Sequence, residues 1–355
     1  MSEANNLYTV DFDARARQIL SQEPLLSARD VEVTFSLHGS KLTAIRRTSL
    51  DLYEGETLAI VGESGSGKSV SAYSVMRILT DTGRITEGEV LFNGEDILKY
   101  TPQQMQAFRG SRISMIFQDP MTCLNPVFTV GYQLREAIRI HTDRNREQVK
   151  ARALEMLQLV GVNEPEKRLK QYPHELSGGM RQRVMIAMAL ACEPDILIAD
   201  EPTTALDVTI QAQILELMQS LQKKMGMAII MITHDLGVIA DMCDEIIVMY
   251  AGKVCERGTA DEIFYNPRHE YTKGLIRSIP RVKEQHEKLI PIAGTPVDLL
   301  NLPKGCAFAS RCDCAMKICL EEQPEEVWVN DCHIAACWAN VKRMLAEEKD
   351  GEGHA

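Results

Sequence analysis

An octapeptide with three glycines and one lysine constrains this chain more than any other feature of its sequence. GESGSGKS runs from Gly62 to Ser69, after the apolar run ETLAIV and before a helically spaced segment. It satisfies the pattern G-x-x-x-x-G-K-[S/T], in which glycines let backbone N–H groups turn inward around phosphate oxygens. The following helix adds the positive end of its dipole. The sequence therefore predicts a strand, a phosphate-binding loop and a helix in succession.

The loop predicts a nucleoside triphosphate and Mg²⁺ as the bound species. Lys68 is expected to reach the β and γ phosphates, and Ser69 to ligate magnesium. The predicted nucleotide-binding residues of this segment are Gly62, Glu63, Ser64, Gly65, Ser66, Gly67, Lys68 and Ser69.

Further short apolar runs predict the fold class. DILIAD and MAIIMIT are rich in isoleucine and too short for typical helices, and helical patterns lie between the runs. Strands that alternate with helices predict a mainly parallel sheet with helices on its faces. Two amphipathic helical patterns with no strand between them predict a helical insertion at about 130–175, and VEVTFSL alternates as a strand does. The predicted class is α/β.

The run ILIAD ends in an acidic pair that suits metal-assisted hydrolysis. Asp200 at the strand end is expected to hold magnesium, directly or through water. Glu201 would act as the general base on the attacking water. Alone such a pair is weak evidence, because it is more often a strand meeting a solvated turn, but next to a phosphate loop it is strong.

Charge and hydropathy exclude several classes. The formal net charge is −11, which argues against a general nucleic-acid binder. The N-terminus does not resemble a secretory signal, and no run is long and apolar enough to span a bilayer. A cytosolic chain is expected, and in that reducing compartment its ten cysteines are not expected to form disulfides.

The segment HELSGGMRQR closely resembles the signature motif of ABC-type ATPases, usually written LSGGQ, with Met180 at the fifth position. The other motifs follow in family order: IFQDP with Gln118, the acidic strand, ALD with Asp207, and MITHD with His234. The resemblance implies the P-loop ABC ATPase fold, with an antiparallel β part beside the mainly parallel sheet and a small cysteine-containing C-terminal domain. Because the signature begins a predicted helix, its N–H groups would also form a second anion site.

The resemblance also assigns roles to these residues. In the family the signature, here Ser177, Gly178 and Gly179, faces the γ-phosphate bound by another subunit, so closure requires two nucleotide-binding domains and two ATP molecules. Gln118 would contact magnesium or the attacking water and sense a membrane partner. His234 would contact the γ-phosphate. The resemblance further implies nucleotide contacts by Asp207 and Phe35, the latter by stacking on adenine, although a phenylalanine in a strand is equally expected to be a core residue.

The narrower resemblance is to ATP-binding subunits of bacterial oligopeptide and dipeptide importers. It implies separate transmembrane permease subunits, a homologous second ATPase more readily than a second copy of this chain, and an extracytoplasmic peptide-binding protein acting indirectly. The chain would lie peripherally on the cytoplasmic face of the cell membrane. Relatives include nickel importers, so nickel or another small solute is an alternative cargo. A soluble ABC ATPase of repair or translation is a second alternative, and a redox-sensing C-terminal module is a third.

Cysteines cluster after residue 300. Cys306, Cys312, Cys319 and Cys337 align with four cysteines of the family's C-terminal extension, which in close relatives is associated with a [4Fe-4S] cluster. Their spacing matches neither ferredoxin runs nor paired C-x-x-C zinc sites, so zinc and no metal remain alternatives. Three neighbouring candidates, Cys314, Cys332 and His333, leave the ligand set open. Cysteines elsewhere are expected to be small apolar core residues.

Composition shifts predict the domain boundaries. The expected division is a flexible leader at 1–24, an ATPase domain at 25–260, a cysteine-containing extension at 261–345 and a polar tail at 346–355.

Overall fold

The protein is described by a computed structural model that covers residues 18–19, 22–37, 39–119, 123–204, 206–279 and 291–352, with side chains as far as residue 345. Nearly all of the predicted leader therefore lies outside the described residues, as do the last three residues of the predicted tail. The final helix extends through the rest of that tail.

The strands form two sheets. In chain order they are β1 (Leu26–Leu37), β2 (Ser40–Leu52), β3 (Thr57–Val61), β4 (Gly83–Phe92), β5 (Glu95–Asp96), β6 (Ile113–Ile116), β7 (Ile196–Asp200), β8 (Ala228–Thr233), β9 (Glu245–Tyr250), β10 (Lys253–Thr259), β11 (Val327–Asn330) and β12 (His333–Ala335). The smaller sheet is antiparallel in the order β2-β1-β4-β5, and the larger sheet has the order β11-β12-β10-β9-β3-β8-β7-β6.

The helices connect and cover these strands. They are α1 (Lys68–Met76), α2 (Pro102–Phe108), α3 (Val130–His141), α4 (Arg146–Leu159), α5 (Pro165–Arg168), α6 (Gly178–Leu190), α7 (Val208–Met225), α8 (Leu236–Ile239), α9 (Ala260–Tyr265), α10 (Glu270–Arg277), α11 (Lys317–Glu321) and α12 (Trp338–Glu352). None of the helices in the described ranges is long and apolar enough to cross a membrane.

The larger sheet is parallel from β9 through β6, as the apolar runs predicted. Side chains of β3 alternate between its two faces: Ala59 and Val61 enter one core, and Leu58 and Ile60 enter the other. This alternation is the period-2 geometry of a strand buried on both sides. The predicted α/β class, with an antiparallel part and a helical insertion, is confirmed.

The helical insertion covers the first core. Helices α3, α4 and α6 contribute Leu134, Met156 and Ile186, all fully buried there. Local sequence defines where α4 begins, because Asn145 accepts hydrogen bonds from the first turn in a capping box with Gln148. The antiparallel sheet and α1 cover the opposite core.

The C-terminal part of the chain returns to the larger sheet. Strand β12 pairs antiparallel with β10, which itself pairs with β9. The pairing sets Arg257 opposite Ile334 and Gly258 opposite His333. The cysteine-containing segment is thereby hydrogen-bonded to the sheet that carries the phosphate loop.

Candidate active site

The phosphate loop joins β3 to α1 and depends on its glycines. Gly62, Gly65 and Gly67 have φ values of 152°, 78° and 106°, in the region that favours glycine. A Cβ on Gly62 would lie 2.3 Å from the backbone oxygen of Met249, so this position also excludes any side chain sterically. The backbone can therefore curl directly from the buried strand into the helix.

Lys68 lies folded over the loop. Its Nζ donates to the carbonyl oxygens of Gly62 at 2.6 Å and of Glu63 at 3.0 Å, and the residue is 5% exposed. Burial lowers the pKa of Lys68, and the negative charges of Glu201 and Asp200 oppose that shift. A buried ammonium held only by carbonyls is well placed to transfer to a phosphate oxygen.

Two further features of the loop suit an anion. The buried hydroxyl of Ser66 has no hydrogen-bond partner among the described residues, so it is open to an incoming acceptor or donor. Ser64 and Gly65 are exposed at the loop's outer side. A cavity of about 280 Å³ adjoins the loop there, bounded on its far side by residues 296–299.

Two of the predicted magnesium ligands, Ser69 and Asp200, contact each other directly. Ser69 Oγ donates to Asp200 Oδ1 at 2.9 Å, and Tyr73 donates its hydroxyl to Oδ2 at 3.0 Å. Burial raises the pKa of Asp200, while these two donors lower it. Burial and the Asp200 charge raise the pKa of Tyr73 to about 12, so its proton stays in place. A hydroxyl beside a carboxylate at the base of the loop is a donor set that suits Mg²⁺.

Two predicted catalytic residues, Gln118 and His234, converge on the carboxylate of the third, Glu201. Glu201 Oε2 accepts a hydrogen bond from Gln118 Nε2 at 2.8 Å and another from the Thr204 hydroxyl at 2.9 Å. His234 Nδ1 lies 3.2 Å from Glu201 Oε1. Glu201 adopts φ 46°, a strained conformation for a residue with a side chain, directly after β7. The carboxylate is thus held by neighbours from three separate loops.

Gln118 was predicted to contact magnesium or the attacking water. In this structure its amide is turned to Glu201, and its predicted metal contact stays a prediction.

The signature residues lie on their own surface. Ser177 begins α6 and accepts a hydrogen bond from the backbone N–H of Met180 at 3.4 Å. Ser177 and Gly178 are exposed, and the space beside Gly179 is closed by Ile210 of α7. Among the described residues this segment contacts its own helix, Leu206 and Ile210, so the signature presents an exposed helix N-terminus rather than completing the loop of the same chain.

Asp207 and Phe35 occupy structural positions. Asp207 begins α7, where its carboxylate accepts from the N–H of Ile210 at 3.0 Å. Phe35 of β1 is half-buried and pairs with Gly83 of β4, and a Cβ on that glycine would lie 2.7 Å from the phenylalanine ring. Their predicted contacts with nucleotide stay predictions.

The four candidate cysteines lie in one region. Cys319 and Cys337 are buried, Cys306 and Cys312 are half-buried, and the N–H of Cys306 donates to the Cys319 carbonyl at 2.8 Å. Burial raises the pKa of the Cys306 thiol, and the nearby thiols of Cys319 and Cys337 add to the shift. Burial likewise raises the pKa of Cys312 to about 11. Within the described ranges, no set of three or more His, Cys, Asp or Glu side chains is arranged to hold a metal ion.

Two of the additional ligand candidates, Cys314 and His333, have surroundings that differ from those of the four cysteines. Cys314 is exposed. His333 is fully buried between two carboxylates, with Nε2 2.8 Å from Glu256 and Nδ1 3.2 Å from Glu262. In the rest of the chain Cys243 and Cys255 are buried, as expected of small apolar residues, whereas Cys123 and Cys192 are half-buried.

Sequence reasoning missed two residues at this site. Tyr73 lies four positions after Ser69, on the same face of α1, and that spacing could have revealed it. Thr204 is three positions after Glu201 and carried no comparable signal, because a threonine in a turn is common.

Two protein-family models match the chain. The model described as "ABC transporter" matches residues 45–204, and the model described as "Oligopeptide/dipeptide transporter, C-terminal region" matches residues 255–319. The first match contains the phosphate loop, the signature and the acidic strand. The second contains three of the four candidate cysteines.

Curated proteins resemble nearly the whole chain. The dipeptide transport ATP-binding protein DppD of Bacillus subtilis is 52% identical over 322 residues, which cover 90% of this chain and 96% of that protein. The oligopeptide transport ATP-binding protein OppD of Escherichia coli is 48% identical, covering 91% and 95%.

A solved dimer of the ATP-binding cassette MJ0796, in a post-hydrolysis state with ADP and Pi, superposes with a TM-score of 0.60 at 29% identity. The superposition covers 66% of this chain and 98% of the MJ0796 chain. The cbiO1 protein of Clostridium perfringens, part of an ABC transporter complex, has the same TM-score at 28% identity, covering 69% and 92%.

Proposed function

The chain belongs to the family of ATP-binding subunits of oligopeptide and dipeptide ABC transporters, and from this membership we propose that it hydrolyses ATP to power the uptake of di- or oligopeptides. Binding of ATP closes a sandwich of two such subunits, closure moves the membrane subunits, and hydrolysis resets them. The enzyme class is a transport-coupled ATPase.

One observation carries the proposal: the Glu201 carboxylate is held by Gln118 and His234 at the edge of the phosphate loop. The Lys68 ammonium lies close enough for the Glu201 charge to act on it. A base, a phosphate-binding cation and a hydroxyl–carboxylate pair for Mg²⁺ thus share one edge of the sheet, which is the set that water attack on a phosphoryl group needs.

The residues of this chain divide the work of hydrolysis. Lys68 and the loop N–H groups bind and orient the phosphates, and Ser69 with Asp200 would hold Mg²⁺, which neutralises phosphate charge when bound. Glu201 accepts the proton of the attacking water, and His234 orients the carboxylate and approaches the γ-phosphate. The signature residues Ser177, Gly178 and Gly179, of which the first two are exposed, serve the site of the partner ATPase. Asp207 and Phe35 complete the proposed nucleotide contacts.

The general base provides the first test. We expect Glu201→Gln to retain Mg²⁺-ATP binding and to lose turnover by about a hundredfold or more, since the amide cannot accept the proton. Binding would be measured by calorimetry on the full chain, and turnover by phosphate release in the assembled transporter. Hydrolysis close to the wild-type rate would contradict the assignment of the base.

Partners and location follow from the same family membership. We propose that the chain docks on transmembrane permease subunits at the cytoplasmic face of the membrane, pairs with a homologous second ATPase, and depends indirectly on an extracytoplasmic peptide-binding protein. Affinity purification from membranes should recover two permease subunits and the second ATPase. Recovery of a second copy of this chain alone would replace the heterodimer with a homodimer.

The cargo needs its own experiment. A strain lacking this chain should lose uptake of labelled di- or oligopeptides and regain it with the wild-type chain but not with Glu201→Gln. Uptake of nickel that follows the same pattern, with peptide uptake unaffected, would assign the chain to the alternative cargo.

We also propose that Cys306, Cys312, Cys319 and Cys337 bind a [4Fe-4S] cluster in the C-terminal extension, residues 261–345. Four thiols are the usual ligand set, and two of these cysteines are in direct contact, since the N–H of Cys306 donates to the Cys319 carbonyl at 2.8 Å. Burial raises the pKa of the Cys306, Cys312 and Cys337 thiols, so a bound cluster would supply the positive charge that stabilises thiolates there.

Anaerobic purification tests the cluster. The wild-type chain and Cys314→Ser are expected to be brown with about four irons per chain, whereas Cys319→Ser loses iron. Zinc in place of iron would support the alternative metal. A well-folded wild-type chain without either metal would exclude both.

A further inference from the structure

The guanidinium group of Arg311 connects the cysteine-containing segment to the phosphate loop. Its Nη1 donates to Glu63 Oε2 at 2.5 Å, and its Nη2 donates to Glu63 Oε1 at 2.9 Å. Two parallel charge-assisted hydrogen bonds of this kind fix both distance and orientation. Glu63 is the second residue of the loop, and 248 residues of sequence separate it from Arg311.

Every N–H of the Arg311 guanidinium has an acceptor. Besides the carboxylate, Nε donates to the Ala293 carbonyl at 2.9 Å, Nη1 to the Tyr250 hydroxyl at 3.3 Å and Nη2 to the Ile292 carbonyl at 3.4 Å. The side chain is only 3% exposed. A guanidinium with five donors and five acceptors is held in one position, and a lysine at this place could not reproduce the pattern.

Glu63 is held at its backbone as well. Its N–H donates to the hydroxyl of Tyr271, a fully buried residue of α10, at 2.7 Å. Its carbonyl oxygen is one of the two that accept from Lys68 Nζ. The peptide that holds the phosphate-binding lysine is therefore fixed by two side chains from the part of the chain after residue 260.

The charge of Glu63 gives the ion pair a second effect. A carboxylate at the second position of a phosphate loop would repel the triphosphate, because like charges at short range oppose each other. Arg311 neutralises this carboxylate and draws it toward the C-terminal part. If the ion pair only attached the two parts of the chain, its carboxylate could come from any residue of the ATP-binding part. Here it comes from a loop residue whose carbonyl also contacts Lys68.

We propose that Arg311 is a positioning residue for nucleotide binding: it orients Glu63, and through Glu63 the loop and Lys68, and it removes a negative charge from the phosphate site. This inference rests on the proposed ATPase function. It adds a residue of the C-terminal part to a site otherwise built by the ATP-binding motifs.

The position of Arg311 in the chain extends the consequence to the cysteines. Arg311 lies in a tight turn in which Ala309 N donates to the Cys306 carbonyl at 3.0 Å and Cys312 N donates to the Ala309 carbonyl at 3.3 Å. A ligand of these cysteines that shifted this turn would also move the guanidinium. Any effect of that ligand on nucleotide affinity would be matched by an equal effect of nucleotide on its own affinity, because such coupling is reciprocal.

Binding of Mg²⁺-ATP to the full-length chain, measured by calorimetry, tests the proposal. Arg311→Met is expected to raise the Kd about tenfold, and Arg311→Lys to raise it less, since a lysine keeps the charge but reaches fewer acceptors. Adding Glu63→Gln to Arg311→Met should recover part of the affinity because the repelling charge is removed. In the assembled transporter KM should rise while kcat stays within about twofold of wild type.

Arg343→Met is the matched control. Arg343 also belongs to the C-terminal part and pairs with Glu270 at 3.1 Å, but it has no contact with the loop in the described structure. It should leave the Kd within about twofold of wild type. Thermal unfolding checks the fold of each variant, and if Arg311→Met does not fold, Arg311→Lys decides.

An unchanged Kd in the folded Arg311 variants would overturn the proposal, and so would an equal rise in Arg343→Met. Failure of the wild-type chain to bind Mg²⁺-ATP would instead overturn the proposed function, so the two failures are distinguishable.

Discussion

The side-chain amide of Gln118 donates a hydrogen bond of 2.8 Å to the carboxylate of Glu201, across 83 residues of sequence. It shares the acceptor oxygen with Thr204, while the other oxygen lies beside His234. The proposed general base is therefore oriented from the segment that follows β6. Movement of that segment would change the hydrogen bonding of the base.

Gln118→Glu should reduce hydrolysis at neutral pH by tenfold or more without weakening ATP binding. The substitution replaces a donor with a second carboxylate next to Glu201, and two negative charges at that distance repel. Phosphate release and calorimetry separate the two effects. Gln219→Glu, on α7 away from the carboxylate, is the control and should behave as wild type. Equal loss of binding and turnover would contradict the predicted role.

Ser69→Ala and Tyr73→Phe should both raise the Mg²⁺ concentration needed for half-maximal hydrolysis. The first removes a predicted ligand and the second removes a donor that orients Asp200, so we expect the effect of Ser69→Ala to be larger, about tenfold or more. Titration of Mg²⁺ at saturating ATP measures both. A Mg²⁺ dependence unchanged in Ser69→Ala would remove Ser69 from the metal site.

Ser177→Arg should abolish hydrolysis of the ATP bound by the partner ATPase while leaving binding to this chain intact. Ser177 is exposed and contacts its own helix, so a bulky cation there blocks closure of the sandwich but does not touch the loop of the same chain. Calorimetry on the single chain and hydrolysis in the complex report the two quantities. Lys68→Ala should instead weaken ATP binding to this chain, because it removes the cation that binds the phosphates.

His269 makes the stability of the fold depend on pH. Burial lowers the pKa of His269 from 6.5 to about 4, against the opposing charges of Glu256 and Glu270. Below about pH 6.5 the unfolded chain therefore binds more protons than the native one. The free energy of unfolding should fall by up to about 3 kcal/mol as pH drops from 6.5 to 4.

Urea unfolding between pH 7.5 and 4 tests this dependence. His269 Nδ1 accepts from the N–H of Tyr271 at 3.0 Å as the residue that begins α10. Asparagine can make the same bond without titrating, so His269→Asn should have a shallower pH slope. His174→Asn, at an exposed position, should keep the wild-type slope. Identical slopes for all three proteins would contradict the prediction.

Local patterns predicted the parts of the fold and site that are built from neighbouring residues. A few neighbouring residues are enough to predict the strand before Gly62, the helix after Lys68 and the run ending in Asp200, because burial and glycine conformation act locally. The alternation of such strands with helices then predicted a mainly parallel sheet.

Contacts made by distant segments could not be predicted in the same way. Nothing in the sequence around Glu63 indicates a partner after residue 300, since an arginine beside a cysteine pattern is expected at a solvated surface. The sequence does show that Cys306, Cys312 and Cys319 lie close together along the chain. Whether their thiols converge depends on turns and burial that cysteine spacing does not encode.

The pairing of β12 with β10 decides how the C-terminal part can be studied. If residues 285–355 were deleted, β10 would become an edge strand with unpaired N–H and carbonyl groups, which invites aggregation between chains. The same cut would remove His333 and leave the Glu256 carboxylate without one of its donors inside the protein. Truncation would therefore damage the sheet itself. Single substitutions are better suited to distinguishing the role of the C-terminal part from that of the ATP-binding part.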